Sequence, residues 1–391
     1  MTSRVVIVGA GFAGTLSARL LRKKLSQDID IVLLDPKDDF LFTPRLIDLL
    51  EDPAFSRAHV EKNLHELARR DGFIFLQGRA THIHRDTKTI TYEPTSSSKK
   101  VLTLSYDALV LSQGAHPSFY HIPGAEAHTL PLKTEEDVRH IHGRVQDLLR
   151  QADRVATRED KQSLLRFLVV GGGATGIEAL CALKVMVERA CQKEFAPLLP
   201  LLSWGLIQAG PQILPGFPIP IVEKTIKELE QQGIALSMGE AVTEVYADGL
   251  KTTTQTLSAS LIVWCAGIEP SSIPIEPPLH ADPAGYLASD RFLRLAPNIF
   301  GAGDIIVYKE SNVLIPKNAQ TAMRMAPLIA ENVCRCLQGL TLIPFHYVSR
   351  GNLLILGKTG FIDAGWFTVK TRFAPWIRNV FYRYRFWQMT R

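Results

Sequence analysis

One local pattern occurs twice in this chain: a short apolar run, three glycines spaced G-x-G-x-x-G, then a helix-forming stretch. The first copy is RVVIV at residues 4–8, Gly9-Ala-Gly11-Phe-Ala-Gly14 and TLSARLLRKKL. The second is LRFLVV at 165–170, Gly171-Gly-Gly173-Ala-Thr-Gly176 and, from Glu178, EALCALKVMVERA. Neither apolar run alternates with polar residues, which is the mark of strands covered on both faces. With 27 glycines in 391 residues, a bare G-x-G-x-x-G arises by chance on the order of 0.1 times. Two copies, each between a strand and a helix, are therefore a strong constraint. In each, the first glycine permits a tight turn and the second lets backbone approach a pyrophosphate. The third lets the helix pack onto the strand. The helix N-terminus supplies unpaired N–H groups and positive dipole.

The strand after the first helix, DIDIVLLD, ends at Asp35, where a carboxylate accepts hydrogen bonds from an adenosine ribose. The second copy lacks that acid. Its next strand, SWGLIQAG, puts Gln208 in the corresponding place. A carboxylate there repels a 2′-phosphate and glutamine does not, so NADH and NADPH both stay open.

A chain of 391 residues suggests two or three compact units. The N-terminus enters a strand almost at once, so no leader peptide is expected. No apolar run approaches the roughly 18 residues needed to span a bilayer, so membrane contact is expected to be peripheral. The five cysteines are scattered and odd in number, which fits a reducing compartment and no disulfide framework. The histidine pairs His82/His84 and His140/His142 have i, i+2 spacing without a Cys or Asp ligand set, so no metal site is expected.

Further segments resemble those of the type II NAD(P)H:quinone oxidoreductases, flavoproteins with two dinucleotide-binding domains. Phe42-Thr-Pro44-Arg45 resembles the family's Phe-x-Pro-Leu segment against the flavin. Tyr106-Asp-Ala-Leu-Val-Leu-Ser-Gln-Gly114 resembles the strand that ends the first FAD segment. Trp264-Cys-Ala-Gly267-Ile-Glu-Pro270 is similar to the exit from the nicotinamide domain. Asn298-Ile-Phe-Gly301-Ala-Gly303-Asp304 is similar to the second FAD motif, whose aspartate holds the ribityl chain. Pro316-Lys-Asn-Ala319-Gln320-Thr-Ala322 resembles the segment near flavin and quinone. Two positions depart from the pattern: Arg45 replaces a leucine and Arg324 a glutamine. Each arginine has two readings, pairing with a quinone head group or pointing to solvent.

The resemblance implies an α/β fold of two Rossmann-like, three-layer β-β-α domains, with the nicotinamide domain inserted into the FAD domain. The expected division is 1–117 (FAD, segment one), 130–266 (NAD(P)H), 282–340 (FAD, segment two) and 341–391 (membrane-docking). It implies FAD at Gly9, Gly11, Gly14, Asp35, Pro44, Gly114, Gly303, Asp304 and Ala319. It implies NADH or NADPH at Gly171, Gly173, Gly176, Gln208 and Gly267. Glu178 and Gln320 are the catalytic candidates, the first orienting or relaying a proton beside the nicotinamide. Residues 36–60 contain no cysteine and the chain has no C-x-x-C, so dithiol chemistry is not expected.

The last 26 residues, 366–391, hold nine aromatics, six Lys or Arg and no Asp or Glu. Trp376, Ile377, Val380, Phe381, Tyr384 and Trp387 recur at helical spacing after Pro375, with Arg378 and Arg385 elsewhere on the helix. Such a face suits the lipid interface, with cations on anionic headgroups. Packing onto the chain's own core or a homodimer partner is the other reading. A net charge of +5 is too small to support nucleic acid as a partner. The expected enzyme passes hydride from NAD(P)H through FAD to a lipid-soluble quinone, peripheral on the cytoplasmic side of a membrane and without pumping protons. The rivals are a redox-sensing flavoprotein like apoptosis-inducing factor and a reductase of a small electron-carrier protein.

Overall fold

The computed structural model describes residues 3–95, 100–310, 313–348, 351–363 and 368–391. Residues 96–99, and Trp366 and Phe367 of the tail, lie outside the described residues.

The unbroken apolar runs become the centres of two parallel sheets. In the larger, the strand order is Arg294–Ala296, Ile299–Gly301, Ala108–Leu111, Arg4–Val8, Asp30–Asp35, Ile74–His84, Thr89–Pro94 and Leu102–Ser105. Arg4–Val8 pairs in parallel with Asp30–Asp35 on one side and Ala108–Leu111 on the other. The strand order reverses there, so the first glycine loop opens at a topological switch point. The helices Phe12–Lys24 and Ala319–Leu337 pack together beside this sheet. The segment THIHRDTKTITYE turns back on itself: Ile74–His84 and Thr89–Pro94 pair antiparallel.

The second sheet runs Leu130–Pro131, Leu261–Trp264, Arg166–Val170, Ser203–Gln208 and Ile234–Met238, all parallel. Its alternating side chains divide between two layers. Phe167, Val169 and Val263 face the helix Ala174–Glu194 through Ile177 and Leu180. Leu168, Val170 and Ile262 face an antiparallel meander (Val242–Tyr246, Gly249–Thr252, Thr256–Ser258) through Val245 and Leu250. The result is a three-layer β-β-α unit. The chain leaves and rejoins the first sheet through two segments that pair antiparallel, Ala115–Pro117 with Ile268–Pro270.

Residues 341–391 are not helical throughout. A meander of Asn352–Leu356, Thr359–Asp363 and Thr368–Thr371 precedes the final helix, Ala374–Thr390, which has Pro375 at its second position. That helix returns to the first unit. Its last carbonyls, left without intrahelical donors, are met by two arginines. Arg19 donates to the carbonyls of Gln388 (2.9 Å), Met389 (2.7 Å) and Arg391, and Arg70 to that of Thr390 (2.6 Å). Phe42 meets Tyr382 and Phe386 edge-on at 5.7 and 5.9 Å, pairs worth about 0.5–1.5 kcal/mol each beyond their burial.

Candidate functional site

Both glycine loops have the geometry their spacing predicts. Gly9 and Gly171 take φ of 100° and 113°, open to glycine and strained for other residues. A Cβ on Gly14 would meet the Gly9 carbonyl oxygen at 1.9 Å, and one on Gly176 the Gly171 oxygen at the same distance. At Gly11 and Gly173 a Cβ would meet nothing within 4 Å, so each loop leaves open space at its middle glycine. The helices beyond begin with no side-chain cap and no acidic residue in the first turn. Their first N–H groups are therefore available to an anion. These features fit a dinucleotide at each loop.

Asp35 and Gln208 perform the same local task. Asp35 accepts from the Ala10 N–H (2.7 Å) and the Lys37 N–H (2.8 Å), and Gln208 Oε1 accepts from the Gly172 N–H (2.8 Å). Each strand end thereby ties down its glycine loop. Burial raises the Asp35 carboxyl above the usual range, against the two amide bonds that favour its charge.

The second candidate FAD motif reaches the first loop. Gly303 (φ 77°) lies against Ala13 and Ala322 and donates its N–H to Met325 Sδ at 3.3 Å. Asp304 beside it stands 3.9 Å from Lys133 Nζ. Lys317 donates to the carbonyls of Asp304 (3.3 Å) and Ile306 and lies over the Tyr286 ring. Ala319 and Gln320 open a helix capped by Asn318, which accepts from the Thr321 N–H at 2.8 Å. Gln113 Oε1 and Thr321 Oγ1 are buried without a protein partner among the described residues, as groups reserved for a ligand would be. Gly114 (φ 72°) follows Gln113 with open space at its Cβ position. Gly267 (φ 153°) is instead covered, since a Cβ there would meet the Tyr120 hydroxyl at 2.0 Å.

Glu178 is half-buried on the helix after the second loop and accepts the Ile355 N–H at 2.8 Å, so the C-terminal meander holds it. Burial pushes its carboxyl up to about 7, against Arg378 and the Ile355 amide, which favour the charge. Its helix packs on Leu46–Glu51, the helix that follows Pro44 and the turn Thr43–Arg45.

Here the structure corrects two expectations. Arg45 does not point to solvent: it is fully buried. It donates to Asp48 Oδ2 (3.2 Å) and to Asn379 through its carbonyl (3.1 Å) and Oδ1 (3.0 Å). Arg378 is not a cationic flank for lipid. It is buried, donates to the other oxygen of Asp48, and lies 6.0 Å from the Tyr382 ring. Burial disfavours its charge, but Glu178 and Asp48 outweigh that and raise its pKa. Asp48 stands three residues after Arg45, a spacing that could have suggested the first pair. Arg378 gave no such signal, because its partner is remote in sequence. Arg324 is half-buried.

Residues 3–326 match the family model described as pyridine nucleotide-disulphide oxidoreductase. The chain belongs to the pyridine nucleotide-disulphide oxidoreductase family. It is 25% identical, over 91% of its length and 88% of the relative's, to the type II NADH:quinone oxidoreductase of Staphylococcus aureus. It is 28% identical to the mitochondrial external alternative NAD(P)H-ubiquinone oxidoreductase B4 of Arabidopsis thaliana, over 80% of its own length but 55% of that protein's. The structure of Plasmodium falciparum NDH2 in complex with NADH covers the whole chain with a TM-score of 0.85 at 18% identity, a likeness of fold.

For a family named after disulphide chemistry, this member's thiols are poorly placed. Burial pushes Cys181 and Cys265 up to about 12 and Cys191 to about 11. Cys336 donates to Asn298 Oδ1 at 3.1 Å, and Cys334 is buried. A nucleophilic thiolate is not available at neutral pH from groups so shifted.

Proposed function

We propose that this chain takes hydride from NAD(P)H at the second glycine loop, passes it through FAD at the first, and reduces a lipid-soluble quinone at a membrane surface without pumping protons. The observation that carries this reading is the final helix. One face docks on Phe42, Arg45 and Asp48, beside the candidate flavin segment. The other bares Phe373, Trp376, Val380, Phe381, Tyr384 and Trp387. An exposed aromatic row suits the headgroup level of a bilayer, where a quinone enters. Among the described residues no helix is long and apolar enough to cross a membrane. The printed names of the S. aureus and Arabidopsis relatives support the same reaction.

The proposed division is FAD segments 1–117 and 282–340, a nicotinamide unit 130–266, and a docking segment 341–391. Gly9, Gly11, Gly14, Asp35, Gly303 and Asp304 would hold FAD, with Pro44, Gly114 and Ala319 nearer its ring. Gly171, Gly173, Gly176, Gln208 and Gly267 would hold NAD(P)H. When bound, the two cofactors supply the hydride donor and its acceptor. Glu178 can hold or release a proton near neutral pH, and Gln320 offers an amide to orient the acceptor. The cytoplasmic side of a membrane is the proposed location.

The test uses the full chain loaded with FAD. Steady oxidation of NADH or NADPH with a soluble naphthoquinone is expected, and negligible turnover overturns the enzyme reading in favour of a redox sensor. Anionic vesicles should retain the wild type and release W376E/F381E, which keeps turnover with the soluble acceptor. Equal vesicle retention by both overturns the membrane reading, and dimerisation of the wild type alone then assigns the bare face to a second copy.

A further inference from the structure

His82 and His84 stand two residues apart on the strand Ile74–His84, so the alternation of a strand sends both side chains to one face. Their rings stack, with centroids 4.3 Å apart and planes 18° from parallel. Asp86 follows His84 by two residues in the sequence, but the third member of the spatial cluster comes from far along the chain. The short strand Ile275–Glu276 adds in parallel to Ile74–His84, with Glu276 opposite His84. Main-chain bonds fix the register: the Ile83 N–H donates to the Pro274 carbonyl (2.9 Å) and the Arg85 N–H to that of Glu276 (2.7 Å). Glu276 Oε2 comes within 3.6 Å of His82 Nε2. One ligand atom from each of the three residues lies within 4.8 Å of the other two.

We propose that His82, His84 and Glu276 form a surface site for a divalent transition-metal ion of the zinc class. Two imidazoles and one carboxylate are a donor set for Zn²⁺, Co²⁺ or Ni²⁺, whereas Ca²⁺ and Mg²⁺ require oxygen donors. Ligands about 2.0–2.1 Å from a tetrahedral ion stand about 3.3 Å from one another, so no pair needs to close by more than roughly 1.5 Å, and Glu276 Oε2 with His82 Nε2, at 3.6 Å, is already near that spacing. The Glu276 side chain, 74% exposed, has room to rotate toward the two imidazoles. The histidines are already ordered by their stacking, and His82 Nε2 is buried with no hydrogen-bond partner. Thr91 Oγ1, 3.4 Å from His84 Nε2, can fix that ring's tautomer. The nearby Arg85 cation is turned to the carbonyls of Pro277 and Pro278, at 2.9 Å each.

The site has a structural meaning. Glu276 lies in the segment through which the chain returns from the second parallel sheet. An ion on these residues ties that return to the first sheet and stabilises the folded chain by binding it selectively.

The test uses the untagged full chain loaded with FAD, stripped with EDTA and dialysed. Titration with Zn²⁺, then gel filtration and elemental analysis, should retain about one equivalent and raise Tm by several degrees. Co²⁺ should give visible d–d bands beyond the flavin absorption. H82A/H84A should lose the bound equivalent, and E276Q, at an exposed position, should bind about tenfold more weakly. All forms should keep the same NADH-to-ferricyanide turnover. Failure of the wild type to retain metal overturns the proposal, as does equal affinity in E276Q or H82A/H84A.

Discussion

Replacing Asp48 by asparagine should loosen the attachment of the last helix at its Arg378 end. The side chain keeps its shape and loses its charge. Its two oxygens then no longer balance Arg45, which is fully buried, and Arg378, which is 4% exposed. Removing one partner of a buried ion pair costs about 3–5 kcal/mol, because the charge left behind stays desolvated. Arg45 keeps its two bonds to Asn379, so the lower end, about 3 kcal/mol, is expected. In a chain of this size each kcal/mol moves Tm by roughly 2 °C, which makes the loss about 6 °C. Thermal unfolding of the FAD-loaded protein reads this value, and hydrogen exchange should quicken across Ala374–Thr390. The second variant, R378M, removes an orphaned charge, so D48N/R378M should recover part of the loss, with a coupling of about 1–3 kcal/mol. The reasoning fails if D48N stays within about 1 kcal/mol of wild type, or if the two substitutions simply add.

Three further outcomes follow from the same geometry. Burial holds a proton on Glu178 up to about pH 7, a proton the unfolded chain releases at lower pH. Its contribution to stability is therefore present below the ordinary glutamate value and is lost as pH rises through 7. E178Q should flatten that slope, and denaturant unfolding at pH 5 and pH 8 checks it; an unchanged difference would count against the buried carboxyl. G11A should fold normally yet retain FAD poorly, while G14A should lose at least 2 kcal/mol of stability because its Cβ would meet a carbonyl oxygen. Flavin content and Tm distinguish the two, and equal behaviour contradicts the loop assignment. Q208E should lower kcat/KM for NADPH about tenfold relative to NADH by adding a carboxylate near a 2′-phosphate. An unchanged ratio would place that phosphate elsewhere.

Much of the architecture was legible because its signals are local. A strand, a three-glycine turn and a helix lie within about twenty residues in each copy, so the pattern is read from one short window. The spacing of Trp376, Ile377, Val380, Phe381, Tyr384 and Trp387 likewise marked a helix face; five of these are exposed and Ile377 is half-buried. The strands of residues 352–371 are not legible in the sequence, since Asn352–Leu356 is a short apolar run that periodicity alone does not tell from helix.

Spacing along the chain therefore determined the two parallel units, their glycine loops and the amphipathic character of the tail. Only the tertiary structure decided which charges are buried and which ligands meet. Arg45 and Arg378 look like surface cations in the sequence, and Asp48 makes them interior groups by joining a helix near the N-terminus to one at the C-terminus. Glu178 owes its raised pKa to burial, and the amide that holds it belongs to Ile355 in the C-terminal meander. His82 and His84 gain Glu276 because a two-residue strand adds to their edge. A charge's environment is set by what folds over it, and neighbours drawn from distant segments leave no trace in local spacing.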